Sequence, residues 1–232
     1  MTGEFSNKKI AWEIRENIGY LSFIDSPENR MNTLFFEELH TLITDIIPTS
    51  NVIAIIISGN GRHFSSGANL DDLLDLIHSE NNGGNSKILQ SNYQSFQFFH
   101  ELNIPIIAAI KGVCLGSALE LALFCHIRIC SHDAILGLPE SGFGLLPGLG
   151  GIPNLMKLSG KAKAIELVLK GNTFNASDAL DWHIVDAIYP KKSLMNKAGQ
   201  LAKLASANYR KYNKTDYLNI NNTPDFLRLR SD

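Results

Sequence analysis

The chain has 232 residues, 44% of them hydrophobic and 19% charged, which excludes a disordered chain and is enough for a sizeable buried core. With 21 Lys and Arg against 23 Asp and Glu, the net charge of −2 gives no electrostatic reason to expect nucleic acid as a partner. Three cysteines, Cys114, Cys125 and Cys130, fall in one apolar stretch, so they read as buried thiols of a reducing compartment and not as a disulfide framework.

Taken in chain order, Ile10, Trp12 and Ile14 alternate as a half-buried strand does, and Ile18 to Ile24 follows a turn at Glu16-Asn17. Ser26 to Asn29 is a loop, and the spacing of Leu34, Phe35, Leu39, Leu42, Ile43 and Ile46 predicts one amphipathic helix over 33–47. Val52 to Ile57 is a mostly β-branched run, expected as a strand buried on both faces. A Gly/Ser-rich loop, 58–69, leads to a helix expected from Leu70 to Ile77. The polar stretch 78–87 is expected to be a loop, with a helix from Ile88 to about His100.

Pro105 starts a strand at Ile106 to Ile110, Gly112 and Gly116 bracket a turn, and Ser117 opens a helix. Ile127 to Cys130 is a strand, 134–151 is a Gly/Pro-rich connection, and a helix follows it. Lys161 to Lys170 is a helix closed by Gly171. A short helix opens at Ser177-Asp178-Ala179, a strand is expected at Ile184 to Ile188, and a last helix at 192–207. Strands alternate with helices, so the fold class is α/β. No apolar run reaches membrane-span length and the N-terminus has no signal-like run, so a cytoplasmic protein without membrane contacts is expected.

No nucleophile elbow, zinc-binding helix or paired Cys/His set is present, so no metal site is expected. His126 and His132 flank a strand, where a core or edge role outweighs a ligand role. Gly59-Asn60-Gly61 lacks the third glycine of a dinucleotide loop and reads as a turn. The carboxylates carry more. Glu120 lies in the apolar run LGSALELALF, and Glu140 follows a proline in LGLPESGFG. If buried, both would be pushed toward the protonated form, and two such groups with separated pKa values make an acid/base pair. The alternative is a surface position for Glu120 and a loop position for Glu140, and spacing alone leaves the two even. Gly67-Ala68 and Gly116-Ser117 each end a loop before a helix. Unpaired N–H groups there could converge on one oxyanion.

The strings SPENRMNTL (26–34), HFSSGANL (63–70), IPIIAAIKGVCLGSALELAL (104–123), LPESGFGLLPGLGG (138–151) and KAKAIELVLKGNTFNASDALDWHIVDAIYP (161–190) together resemble the crotonase (enoyl-CoA hydratase/isomerase) superfamily. The resemblance spans roughly residues 8–190 in the family's order. It implies a stacked ββα spiral core at 1–190 with a shortened helical region at 191–232, and assembly as a trimer or hexamer. It also implies an acyl-CoA thioester substrate, with coenzyme A entering as part of the substrate and no separate cofactor. By the same resemblance Glu120 and Glu140 are the catalytic pair, and the amides of Ala68 and Ser117 are the oxyanion hole. Ser66, Ala68, Leu70, Gly116 and Gly148 line the substrate. Gly148 stands where dienoyl isomerases carry an additional acid, which argues against that subclass. Asn69 replaces the family's usual Asp, and Ser117-Ala118-Leu119 replaces a common glycine run. The implied activity is hydration of a 2-enoyl-CoA in fatty acid metabolism. The alternatives are a Δ3,Δ2-enoyl-CoA isomerase or a non-catalytic acyl-CoA-binding subunit.

Charge is uneven along the chain. Residues 1–189 hold 12 Lys/Arg against 20 Asp/Glu, and residues 190–232 hold 9 against 3. Lys203, Arg210, Lys211 or Lys214 is therefore expected to meet the phosphates of coenzyme A, unless the tail only pairs with the acidic body.

Overall fold

The computed structural model describes residues 5–69 and 85–209. The helix expected at Leu70 to Ile77, and with it the substrate-lining Leu70, lies outside the described residues, as do Arg210, Lys211 and Lys214.

Strands β1 (Phe5–Ser6), β2 (Ile10–Arg15) and β3 (Ile18–Phe23) form an antiparallel edge. Glu16 and Asn17 both have positive φ, as a two-residue hairpin turn between twisted strands requires. Beside β3 run β4 (Ala54–Gly59), β5 (Ile106–Ile110), β7 (Ile127–Ser131) and β10 (Ala187–Tyr189), all parallel, giving a seven-stranded sheet in the order β1-β2-β3-β4-β5-β7-β10. A second sheet of three strands joins β6 (Val113–Leu115), β8 (Ile135–Gly137) and β9 (Thr173–Asn175). The mixed α/β architecture matches the class expected from the sequence.

The helices are α1 (Thr33–Thr41), α2 (Asn85–Glu101), α3 (Ser117–Phe124), α4 (Gly151–Ser159), α5 (Lys161–Lys170), α6 (Ala176–Asp181) and α7 (Leu194–Tyr209). One core packs α1, α2 and α3 against one face of the large sheet. Phe23 of β3 meets Phe35 of α1 and Phe64 of the loop after β4 edge-on, with centroids 5.2 and 5.3 Å apart. The other face is covered by α7, whose Leu194, Ala198, Leu201, Ala202 and Ala205 bury Ile18, Ile56, Ile107 and Ile129. Among the described residues no helix is long and apolar enough to cross a membrane.

Several expectations need correction. The helix expected over 33–47 is α-helical only to Thr41, then widens into a π turn (Leu42–Ile46) and tightens into a 3-10 turn (Ile47–Thr49), where Pro48 has no N–H to continue the ladder. Gly112 and Gly116 bracket a strand, β6, and not a turn; each supplies a positive-φ bend at one end of it. The Gly/Pro-rich stretch 134–151 hides β8 and a 3-10 turn at Pro139–Phe143, and β9 was not anticipated. α2 begins at Asn85, three residues before the start expected at Ile88.

The strand expected at Ile184 to Ile188 begins only at Ala187. The residues before it are held by Arg128 instead. That buried guanidinium donates to Ile184 O (2.9 Å) and Cys125 O (2.5 Å) and pairs with Asp186 (3.3 Å), whose carboxylate also accepts the Arg128 N–H.

Candidate active site

The two loops singled out in the sequence come together at the carboxyl ends of β4 and β5. After β4 the chain turns through Gly61 and enters 64–68. Phe64 and Ser65 donate to Val113 O, and Leu115 N returns a bond to Ser65 O at 3.2 Å, so this loop lies alongside β6. On its other side Met31 N donates to Gly67 O and Asn69 N to Met31 O. In an extended chain those bonds from Gly67 and Asn69 send the intervening Ala68 N–H to the opposite side. Gly67 packs against β6 so closely that a methyl on it would lie 2.4 Å from Leu115 O and 3.5 Å from Ser117 N. Its φ is +90°, a second reason for glycine there.

Gly116 caps α3 with φ +55°, and Ser117 is the first helical residue, whose N–H has no partner within the helix. Neither the Ala68 nor the Ser117 amide donates to another group among the described residues. The Ser117 hydroxyl is turned away to Met31 Sδ at 3.4 Å, leaving the amide as the group on offer. Ser117 is buried and Ala68 exposed, so the pair sits at the mouth of the site.

Glu120, one turn into α3, is buried; the surface alternative for it is excluded. Its Oε1 accepts the N–H groups of Leu149 and Gly151, both at 2.8 Å, where the positive end of α4 begins. Both bonds fall on one oxygen. Burial, and then the charge of Glu140, push its pKa up to about 8 against the pull of those two amides. Glu140 stands on the 3-10 turn after β8, which is tied to the Gly116 bend by Gly116 N to Gly137 O at 2.9 Å. A methyl on Gly116 would lie 3.0 Å from Glu140 Oε1. The Glu140 pKa is likewise raised by burial, and its Oε2 is buried with no hydrogen-bond partner among the described residues.

Ser66 is half-buried and bonded through its N–H to Glu28 O. Gly148 is exposed, beside the Leu149 amide that holds Glu120, and a methyl on it would lie 4.0 Å from Leu89 Cδ2 of α2. Lys203 does not join these residues. It pairs with Glu16 (2.5 Å) at the hairpin turn, which is the opposite end of β3 from the loops after Gly59. A groove of about 400 Å³ lined by Ala11, Glu13, Tyr20, Ser22 and Met195 lies on the α7 side of the sheet and touches none of the site residues.

Sequence reasoning missed Met31, the Leu149 and Gly151 amides, and Asn29, whose side-chain NH₂ donates to Asn60, His63 and Phe64 carbonyls and so holds the 60–64 turn. For Asn29 and Met31 the only available signal was their place in the string SPENRMNTL.

The sequence profile of the enoyl-CoA hydratase/isomerase family matches residues 13–216. A probable enoyl-CoA hydratase of Bacillus subtilis (strain 168) is 36% identical over 176 residues, which make up 76% of this chain and 67% of that protein. An enoyl-CoA hydratase of Geobacillus kaustophilus HTA426 superposes with a TM-score of 0.81 at 22% identity, covering 100% of this chain and 89% of that one. A Thermobifida fusca YX protein solved in complex with acetoacetyl-CoA superposes with a TM-score of 0.76 at 23% identity, covering 97% and 96%. With its crotonase fold, a profile match over most of its length and a relative 36% identical over 176 residues, the chain belongs to the enoyl-CoA hydratase/isomerase family.

Proposed function

We propose that this chain is an enoyl-CoA hydratase, adding water across the 2,3 double bond of a 2-enoyl-CoA. The observation that carries the reading is a pair of carboxylates, Glu120 buried and Glu140 half-buried, both shifted toward protonation, beside two backbone amides with no partner among the described residues. The thioester oxygen would accept from the Ala68 and Ser117 N–H groups, an oxyanion hole that stabilises the enolate as charge builds there. Loss of one such donor typically costs about 3 kcal/mol.

In the reaction a carboxylate takes a proton from water while the oxygen bonds to Cβ. The π electrons move through Cα toward the thioester oxygen, and a carboxylic acid returns a proton to Cα as they come back. Ionised Glu120 is assigned the first role and protonated Glu140 the second, the form in which the one proton held by the coupled pair sits on Glu140. The pair titrates as one unit, so the pairing is the firmer part of the assignment. A site with one carboxylate protonated and the other ionised has the acid and base it needs without any further group. The acetoacetyl-CoA held by the Thermobifida fusca relative supports a CoA thioester as substrate.

A Δ3,Δ2-enoyl-CoA isomerase is the second reading, favoured by the partnerless Oε2 of Glu140, which could carry a proton between carbons alone. Loss of enoyl absorbance from crotonyl-CoA tests the first reading; appearance of 2-enoyl absorbance from a 3-enoyl-CoA tests the second. Binding of acyl-CoA with neither change would make the chain a non-catalytic binding subunit. Assembly as a homo-oligomer is supported by the exposed Phe143, Leu146 and Leu169, and sedimentation checks it. Cytoplasmic residence is supported by three buried free thiols.

A further inference from the structure

His63 lies outside the catalytic pair, yet it sits at the root of both backbone arms that carry the site. Its Nδ1 accepts the Val113 N–H at 3.0 Å. Val113 opens β6, and four residues later the chain reaches Ser117. In the other direction from His63, five residues lead to Ala68. The neighbouring bonds tie the same two segments: Phe64 N to Lys111 O (2.8 Å), Phe64 N and Ser65 N to Val113 O (3.1 Å each). All of these are backbone pairs. Among the described residues the imidazole adds a side-chain bond between these two segments, and it is a group that titrates. A methyl on Gly112 would lie 2.6 Å from Nδ1 and 2.6 Å from Arg62 O, so the ring fills the space it has and has no second position on that side.

We propose that His63 is a positioning residue: its neutral ring latches the Ala68 loop to β6, and protonation of the ring releases that latch. The inference rests on the oxyanion role given above to Ala68 and Ser117. Accepting at Nδ1 places the ring proton on Nε2. A second proton would have to go onto Nδ1, where it would face the Val113 N–H, donor against donor. The groups around the ring oppose that second proton on balance. Burial disfavours it most, then Arg62 on the same loop and Lys191 beyond β10. Asp133 beyond β7 and Glu28 before α1 pull the other way and are outweighed. Burial, and then Lys191, also lowers the pKa of the half-buried Lys111. The ring is therefore neutral at pH 7, with its pKa below the ordinary 6.5. The unfolded chain takes up this proton first as pH falls, so acid both loosens the latch and lowers stability.

His63→Asn and His63→Leu test this in the full chain. An Asn carbonyl oxygen can stand near the Nδ1 position and accept from Val113, and it does not titrate. Hydration of crotonyl-CoA is followed from pH 5 to 8, with amide hydrogen exchange of 112–117 under the same conditions. The wild-type kcat is expected to fall about tenfold per pH unit below the His63 pKa with little change in KM. Exchange at 112–117 should rise beyond its intrinsic pH dependence. His63→Asn should remove the His63 share of that acid limb and leave the share set by the glutamate pair, and His63→Leu should lower kcat about tenfold at every pH. Equal pH profiles for wild type and His63→Asn, or full activity in His63→Leu, would overturn the proposal. If no form turns over any enoyl-CoA, the hydratase reading fails by itself and the exchange data decide the latch. Protection of 112–117 with the same pH dependence in wild type and His63→Asn would overturn it.

Discussion

Two buried glutamates, on two helices of the same core, show how the same side chain serves opposite ends. Glu38, on α1, accepts Lys8 N at 3.1 Å through Oε1, and Lys9 N and Ile10 N at 3.0 and 2.9 Å through Oε2. Both of its oxygens are used, and three backbone donors at the start of β2 are satisfied by one carboxylate. Glu120, on α3, spends both of its bonds on Oε1, and its partner Glu140 leaves Oε2 buried and bare. Burial alone therefore does not mark a catalytic carboxylate. What separates the two regions is whether the carboxylate's acceptor capacity is filled by the fold or left for a substrate.

The sharpest way to break this contrast is to neutralise each group. Glu120→Gln and Glu140→Gln should each lower kcat for hydration at least ~100-fold while leaving the fold intact. Near-wild-type turnover in either would end the assignment of the pair, and loss of isomerisation in Glu140→Gln alone would favour the isomerase. The same burial has a thermodynamic signature. Between pH 4.5 and about 8 the folded chain keeps a proton on the coupled Glu120–Glu140 pair that the unfolded chain releases, so stability falls as pH rises through that window. Thermal melts of Glu120→Gln should lose that part of the pH dependence, and unchanged curves would mean that the pair does not hold that proton together.

Glu38→Gln should do the reverse. It should cost about 2 kcal/mol in denaturant unfolding, because an amide offers one acceptor oxygen where a carboxylate offers two, with kcat untouched. A fall in kcat without loss of stability would erase the distinction. Gly151→Ala probes Glu120 more gently. Its methyl would come 2.9 Å from Glu120 Cγ and 3.0 Å from Oε1, and an expected tenfold loss of kcat, about 1.4 kcal/mol, measures how much displacement the site tolerates. The smallest effect is expected from Ser117→Gly. The hydroxyl is engaged with Met31 and the amide survives, so steady-state kinetics should show activity kept or slightly raised. A dead, folded Ser117→Gly would mean that the hydroxyl acts.

Much of this site was legible in the chain. An acid in an otherwise apolar helix raised two readings of Glu120, and burial at 2% exposure decides between them. Glu140 and the Ala68 and Ser117 amides came from the resemblance, since a lone acid after a proline and two Gly-X pairs do not point to one another along the sequence. Long elements with a clear period, such as β4 and α5, were found within two residues of their ends. β6, β8 and β9 were not, because three residues contain too little alternation to register a period of two. Ile184 and Val185 misled because apolar burial around Arg128 looks, in one dimension, like a strand. Glu38 and His63 gave no signal because their partners are backbone atoms of residues 28 and 50 positions away.

The cover that α7 gives to the large sheet bears on how this protein can be cut. Its buried face is largely methyl groups, from Ala198, Ala202 and Ala205, which let the helix lie close to strands whose facing side chains are almost all isoleucine and alanine. A chain ending before Leu194 would present that β-branched surface to solvent as a flat adhesive patch. Recombinant fragments made that way should collect in inclusion bodies, whereas a cut beyond Ala205 leaves the patch sealed.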